Sequence, residues 1–212
     1  MTEYAISERF KSVQGEGVYA GTPMAFIRFV GCSVGKKVCH ACDTDWEKMH
    51  GYRGGGMYSA RELRLWAHPF KHICLTGGEP FDQPELVSLV QMFHSIGAIV
   101  HIETSGTIRR PDGITDPRLL WVCVSPKPGF REAEMQIADE IKVIVPGLGR
   151  VEDWPTLGDA LKWAEAGKTV FLQPRNSVHK VDADNLALCQ QLVLEHPQLR
   201  LSVQLHKLLE VR

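Results

Sequence analysis

Three of the six cysteines fall within eleven residues, as Cys32, Cys39 and Cys42 in a C-x6-C-x2-C spacing. Thiolates at such spacing bind metals. A closed structural zinc site or a ferredoxin-type cluster takes four protein ligands, and no fourth cysteine lies nearby. Three thiolates on an iron–sulfur cluster leave one iron with an open position, which is what a cluster must have to bind a small molecule directly. His40 keeps a Cys3His zinc site open as an alternative, although its adjacency to Cys39 makes joint tetrahedral ligation awkward. Incidental cysteines are the third reading. Cys74, Cys123 and Cys189 sit in apolar runs and read as small buried core residues.

A second motif lies downstream. Taken alone, Gly77-Gly78-Glu79-Pro80 after a short apolar strand is a turn before a helix. Behind a three-cysteine loop, it resembles the radical S-adenosylmethionine (SAM) superfamily, in which this stretch meets the SAM ammonium group through backbone carbonyls and, here, Glu79. Consecutive glycines let a backbone come that close. Further stretches narrow the resemblance: Phe10-Lys11-Ser12-Val13-Gln14-Gly15-Glu16-Gly17, Gly21-Thr22-Pro23, Phe26-Ile27-Arg28-Phe29 and Cys42-Asp43-Thr44-Asp45. Cys123-Val124-Ser125-Pro126-Lys127, Glu140-Ile141-Lys142-Val143 and Ser202-Val203-Gln204-Leu205-His206-Lys207 complete the set. Across essentially the whole chain they resemble the 7-carboxy-7-deazaguanine synthase family.

That resemblance implies a radical ring contraction of 6-carboxy-5,6,7,8-tetrahydropterin with loss of ammonia, in the biosynthesis of queuosine and related deazapurines. It implies a 4Fe-4S cluster on Cys32, Cys39 and Cys42, SAM as cofactor, and Mg2+ on Thr44. One protein hydroxyl suits Mg2+, which prefers oxygen ligands and keeps several waters. It assigns Val13, Gln14, Gly15, Arg28, Thr76, Glu103, His206 and Arg212 to the pterin. Ala41, Asp43, Gly78, Glu79, Ser125, Pro126, Lys127, Gln173, Pro174 and Asn176 go to SAM. It also implies a homodimer and a reducing partner such as flavodoxin or ferredoxin. The loop departs from the usual C-x3-C-x2-C of the superfamily and from the long C-x14-C-x2-C form of some family members, which leaves its shape open. Ser105 and Leu205 replace the commoner Asn and Thr. Two competing readings are another small radical SAM enzyme, such as a glycyl-radical activase, and a non-catalytic zinc or Fe-S binding module.

Arg28 invites its own argument. In a strand, Phe26, Arg28 and Val30 share one face, while Ala25, Ile27 and Phe29 share the other. Both faces are apolar, so the guanidinium needs an anionic partner. An Asp or Glu of the protein and a substrate carboxylate are the two candidates, and the resemblance favours the second.

These residues must be held by elements that the sequence also suggests. Strands are expected at Ala25–Val30, Ile73–Leu75, Ala98–Ile102, Leu120–Val124, Glu140–Val145, Thr169–Leu172 and Leu201–Leu205. Helices are expected at Ser59–Trp66, Gln83–Ile96, Trp154–Ala166 and Asp182–Glu195, with Pro84 in the first turn of the second and Asp182 capping the last. Alternating strands and helices point to a parallel α/β sheet with function on the loops after the strands. The motifs occupy those positions. With fewer than eight such units, a partial, trimmed TIM-like βα barrel fits better than a closed one.

The 212 residues fit one domain, 1–212, as expected for this length. A net charge of −1 argues against a nucleic-acid binder. No apolar run reaches the length of a membrane span, and the N-terminal residues show no signal-peptide pattern. A cytoplasmic protein with no membrane partner is the expectation.

Overall fold

The computed structural model describes residues 2–39, 42, 44–114, 116–145, 154–177 and 180–210. The chain opens with two antiparallel strands, β1 (Glu3–Val13) and β2 (Pro23–Phe29), followed by a one-turn helix, α1 (Gly35–Val38). A short strand, β3 (Gly56–Ser59), returns antiparallel to β1 and leads into α2 (Ala60–Ala67). Next come β4 (His72–Gly77), α3 (Leu86–His94), β5 (Ile99–Thr104), β6 (Leu120–Val124), α4 (Glu132–Ile137) and β7 (Glu140–Val145). The last elements are α5 (Leu157–Glu165), β8 (Thr169–Pro174), α6 (Ala183–Glu195), β9 (Arg200–Leu201) and α7 (Leu205–Leu208).

The strands form one sheet in the order β3-β1-β2-β4-β5-β6-β7-β8-β9. From β2 to β9 every neighbouring pair is parallel. The edge strands β3 and β9 do not pair with each other, so this is an open, partial βα barrel.

Strand alternation divides the residues between two environments. One set, including Ala25, Ile27, Phe29, Ile73, Leu75, Val100, Ile102, Ile141, Val143 and Leu172, is fully or almost fully buried under the helices. There it meets Leu63, Leu89, Phe93, Trp163 and Cys189, each large side chain contributing about 1.5–3 kcal/mol on burial. The helices start where polar caps allow. Ser59 with Glu62 and Thr156 with Asp159 form reciprocal capping boxes, and the Asp182 side chain accepts the N–H of Asn185.

The opposite set turns away from the helices. Met24, Phe26 and Cys74 form a small apolar cluster with Phe10 and Tyr19. One step further toward the strands' C-terminal ends the residues become polar: Arg28 pairs in register with Thr76, and Glu103 with Cys123.

The local pattern misled at β1, at the start of α3 and at the last strand. The eleven-residue β1 is unexpected, because its Ser7-Glu8-Arg9 run breaks the apolar alternation; it is half-exposed and pairs on both sides, with β2 and β3. Helix α3 starts at Leu86 rather than Gln83, since Glu85 adopts a left-handed conformation at φ +59°. Pro84 therefore lies outside the helix, and Pro80–Asp82 forms a separate 3-10 turn capped by Glu79. The expected strand Leu201–Leu205 ends at Leu201, and Leu205 begins α7. The chain leaves the sheet there because Ser202 bonds to Gln173 at 2.8 Å, and the Leu205 N–H donates to the Gly15 carbonyl at 2.9 Å.

Candidate active site

A cavity of about 280 Å3 opens at the C-terminal ends of the parallel strands. Cys32, Cys39, Cys42, Thr44, Arg28, Thr76, Gly78, Glu79, Glu103, Ser125, Lys127, Gln173, Pro174, Asn176 and His206 line it. A smaller pocket of about 60 Å3 is lined by Val13, Gln14 and Gly15, and shares Glu16, Arg28, Glu103 and His206 with the larger one. Residues expected to handle substrate and cofactor thus meet at one rim. Pro126 is buried and lines neither space. Ala41, Asp43 and Arg212, and the alternative ligand His40, lie outside the described residues.

The cysteine loop owes its shape to backbone contacts. The carbonyl of Gly35 accepts the N–H of Cys39 at 3.1 Å, and the Cys39 carbonyl accepts that of Cys42 at 3.0 Å. Burial raises the Cys32 thiol above its usual range, while the N–H groups of Gly35 and Val34 pull the other way. Cys39 is also raised by burial, opposed by Lys127 and reinforced by the other two cysteines. Among the described residues, no group of three His, Cys, Asp or Glu side chains is gathered closely enough to hold a single metal ion. The three half-buried thiols all line the same cavity.

The two glycines after β4 are required by the neighbouring strand end. Gly77 has φ +106°, and a Cβ there would stand 2.6 Å from the Phe29 nitrogen. A Cβ on Gly78 would overlap the Gly31 carbonyl, which accepts the Glu79 N–H at 3.1 Å. The close approach is thus to the start of the cysteine loop. Ser33 reinforces it, donating its N–H and hydroxyl to Asp82 at 2.7 and 2.9 Å.

Glu79 is buried, and its carboxylate is already surrounded by donors. Phe81 N–H (3.1 Å) and the Thr104 hydroxyl (2.7 Å) reach one oxygen, and Ser105 N–H (2.9 Å) and hydroxyl (2.5 Å) reach the other. Glu79 anchors the end of β4 to the end of β5. Lys127 is folded onto the Ser125 carbonyl and hydroxyl at 2.8 and 2.7 Å, and burial lowers its pKa.

Arg28 has protein partners on two sides. Its Nε faces the Glu8 carboxylate at 3.1 Å, and Nη1 donates to the Thr44 hydroxyl at 2.6 Å. Gln14 donates to Glu103 at 3.1 Å, and Thr76 donates to the other Glu103 oxygen at 2.8 Å. Gly15 is pressed against His206, whose ring a Cβ at position 15 would strike.

Glu16, Lys142 and Gln204 also line the cavity, although no role fell to them from the sequence. All three lie in stretches singled out above, so the signal was present without a contact to interpret it.

The chain is 36% identical over 225 residues to a 7-carboxy-7-deazaguanine synthase of Bradyrhizobium diazoefficiens, an alignment covering 99% of each chain. It superposes on the crystal structure of QueE from Escherichia coli with a TM-score of 0.70 and 30% identity, over 95% of this chain and 94% of that one. Streptococcus suis SuiB bound to precursor peptide SuiA shares the fold, with a TM-score of 0.62 and 11% identity over 82% and 46% of the two chains. No family model matches the chain.

Proposed function

The chain belongs to the 7-carboxy-7-deazaguanine synthase family, and on that premise we propose how its own residues divide the work of this radical SAM reaction. The carrying observation is the joining of two pockets through Arg28, Glu103 and His206, with the three cysteines on one wall. The proposed substrate is 6-carboxy-5,6,7,8-tetrahydropterin, which would lose ammonia on ring contraction.

Cys32, Cys39 and Cys42 would hold the 4Fe-4S cluster. SAM would lie along the strand ends, against Gly78, Ser125, Lys127, Gln173, Pro174 and Asn176, with Glu79 behind it. When bound, the reduced cluster and SAM together supply the one-electron chemistry that starts hydrogen abstraction. The protein's task is binding, orientation and exclusion of water.

Arg28 would take the substrate carboxylate through its planar fork, with Glu8 holding the guanidinium in place. Thr44 accepts one hydrogen bond from Arg28, and its remaining lone pair would serve Mg2+ beside that carboxylate. Gln14, Gly15, Glu103 and His206 would enclose the heterocycle. Glu103 accepts hydrogen bonds when ionised and so suits an N–H-rich ring edge.

A homodimer, a flavodoxin- or ferredoxin-type donor and a cytoplasmic setting complete the proposal. No described helix is long and apolar enough to cross a membrane. The decisive assay incubates reconstituted protein with carboxytetrahydropterin, SAM, Mg2+ and a reductant. Formation of 7-carboxy-7-deazaguanine is expected; its absence, with the cluster intact, would sink the reading.

A further inference from the structure

Two stretches have no part in that account, Glu16-Gly17 of the N-terminal motif and Glu140-Ile141-Lys142-Val143. The fold brings them together. One Glu16 oxygen takes the Lys142 ammonium, and the other takes the Gln204 amide at 2.6 Å. Gly17, at φ +67°, leaves no room for a Cβ beside the Glu140 carboxylate, which accepts the Val18 N–H at 2.8 Å. The connection between β1 and β2 is thereby strapped across to β7.

Lys142 is 4% exposed, and its ammonium also stands 3.7 Å from Glu103. One buried cation therefore serves two carboxylates on the cavity floor. Glu103 takes the Gln14 amide, and the Gln14 carbonyl accepts the Glu16 N–H at 3.2 Å, which closes a loop of contacts back to Lys142. The amide of Gln14 is thus locked in one orientation, with Glu103 held between it and the Lys142 ammonium.

We propose that Lys142 is a positioning residue for substrate recognition. It aims Glu103 and Gln14 so that the floor presents hydrogen-bond acceptors to an N–H-rich heterocycle edge, such as a 2-amino-4-oxopyrimidine. The inference rests on the functional reading above and adds a residue to it. Lys142 acts through Glu103 and Glu16, and so tunes affinity for the pterin rather than cluster chemistry.

The test compares the reconstituted parent with Lys142→Arg, Lys142→Met and the double variant Glu16→Gln/Lys142→Met, which leaves no unpaired Glu16. In the double variant, KM for carboxytetrahydropterin should rise roughly tenfold or more while kcat changes by less than about threefold. Iron content and the spectral response of the cluster to SAM should match the parent. Lys142→Arg, which keeps the charge, should recover most of the loss. An active parent whose double variant keeps its KM, loses only kcat or fails to fold would overturn this inference alone. A parent that does not turn over the pterin would overturn the functional reading and this inference with it.

Discussion

Arg28 and Thr44 are joined by a 2.6 Å hydrogen bond from guanidinium to hydroxyl, which ties the end of β2 to the chain just past the last cysteine. The ion pair with Glu8 at 3.1 Å holds the same guanidinium from the other side. The protein carboxylate weighed as a partner for Arg28 is thus present, and Arg28 still lines the cavity.

Arg28→Lys keeps the charge and loses the planar fork. It should lower kcat/KM for the pterin by about tenfold to a hundredfold, with iron content unchanged. Steady-state kinetics at saturating SAM check this. A loss below about twofold would reduce Arg28 to a structural ion pair.

The six cysteines should separate cleanly. Cys39→Ala removes one of the three cavity thiols and should abolish stable iron binding. Cys189→Ala should retain it, because Cys189 is buried under the sheet, where burial pushes its thiol up to about 12. Iron analysis after anaerobic reconstitution decides; equal losses would show the division to be wrong.

Glu79 anchors two strand ends through four donors. Glu79→Gln keeps the shape but turns an N–H2 group toward some of those donors. A loss of about 3 kcal/mol is expected, since hydrogen bonds to a charged, buried acceptor are among the stronger ones. Urea denaturation of the apoprotein measures it, and a change below about 0.5 kcal/mol would rule out the anchoring role.

His101 lies buried against Tyr19, 2.9 Å from His72. Burial, and secondarily His72, lowers its pKa from 6.5 to about 3. The unfolded chain thus takes up a proton that the folded chain refuses. Stability from this site is fully present above pH 6.5 and falls as pH drops from there toward 3. Between pH 7 and 5 the loss should be about 2 kcal/mol, and His101→Gln should flatten it. Equal slopes in urea titrations of the two proteins would contradict this.

Much of the site could be read from local pattern. The cysteine spacing and the Gly77–Pro80 turn are contiguous, and strands β6 and β7 have the bounds that their apolar runs suggested. Short-range periodicity reports which face of an element is buried, and that signal lies within a few residues. The same logic failed at β1, whose polar residues interrupt the alternation, and at Leu201–Leu205, where tertiary contacts draw apolar residues out of the sheet.

The sequence by itself thus determined the three cysteines, the glycines that follow β4 and the family resemblance. Tertiary structure decided which partners meet. Glu16 and Lys142 are 126 residues apart, and Glu103 is tied to Gln14 across 89 residues. Such contacts depend on strand order and register, which no local period encodes. They decide which buried charges neutralise one another, and so what the cavity floor offers a ligand.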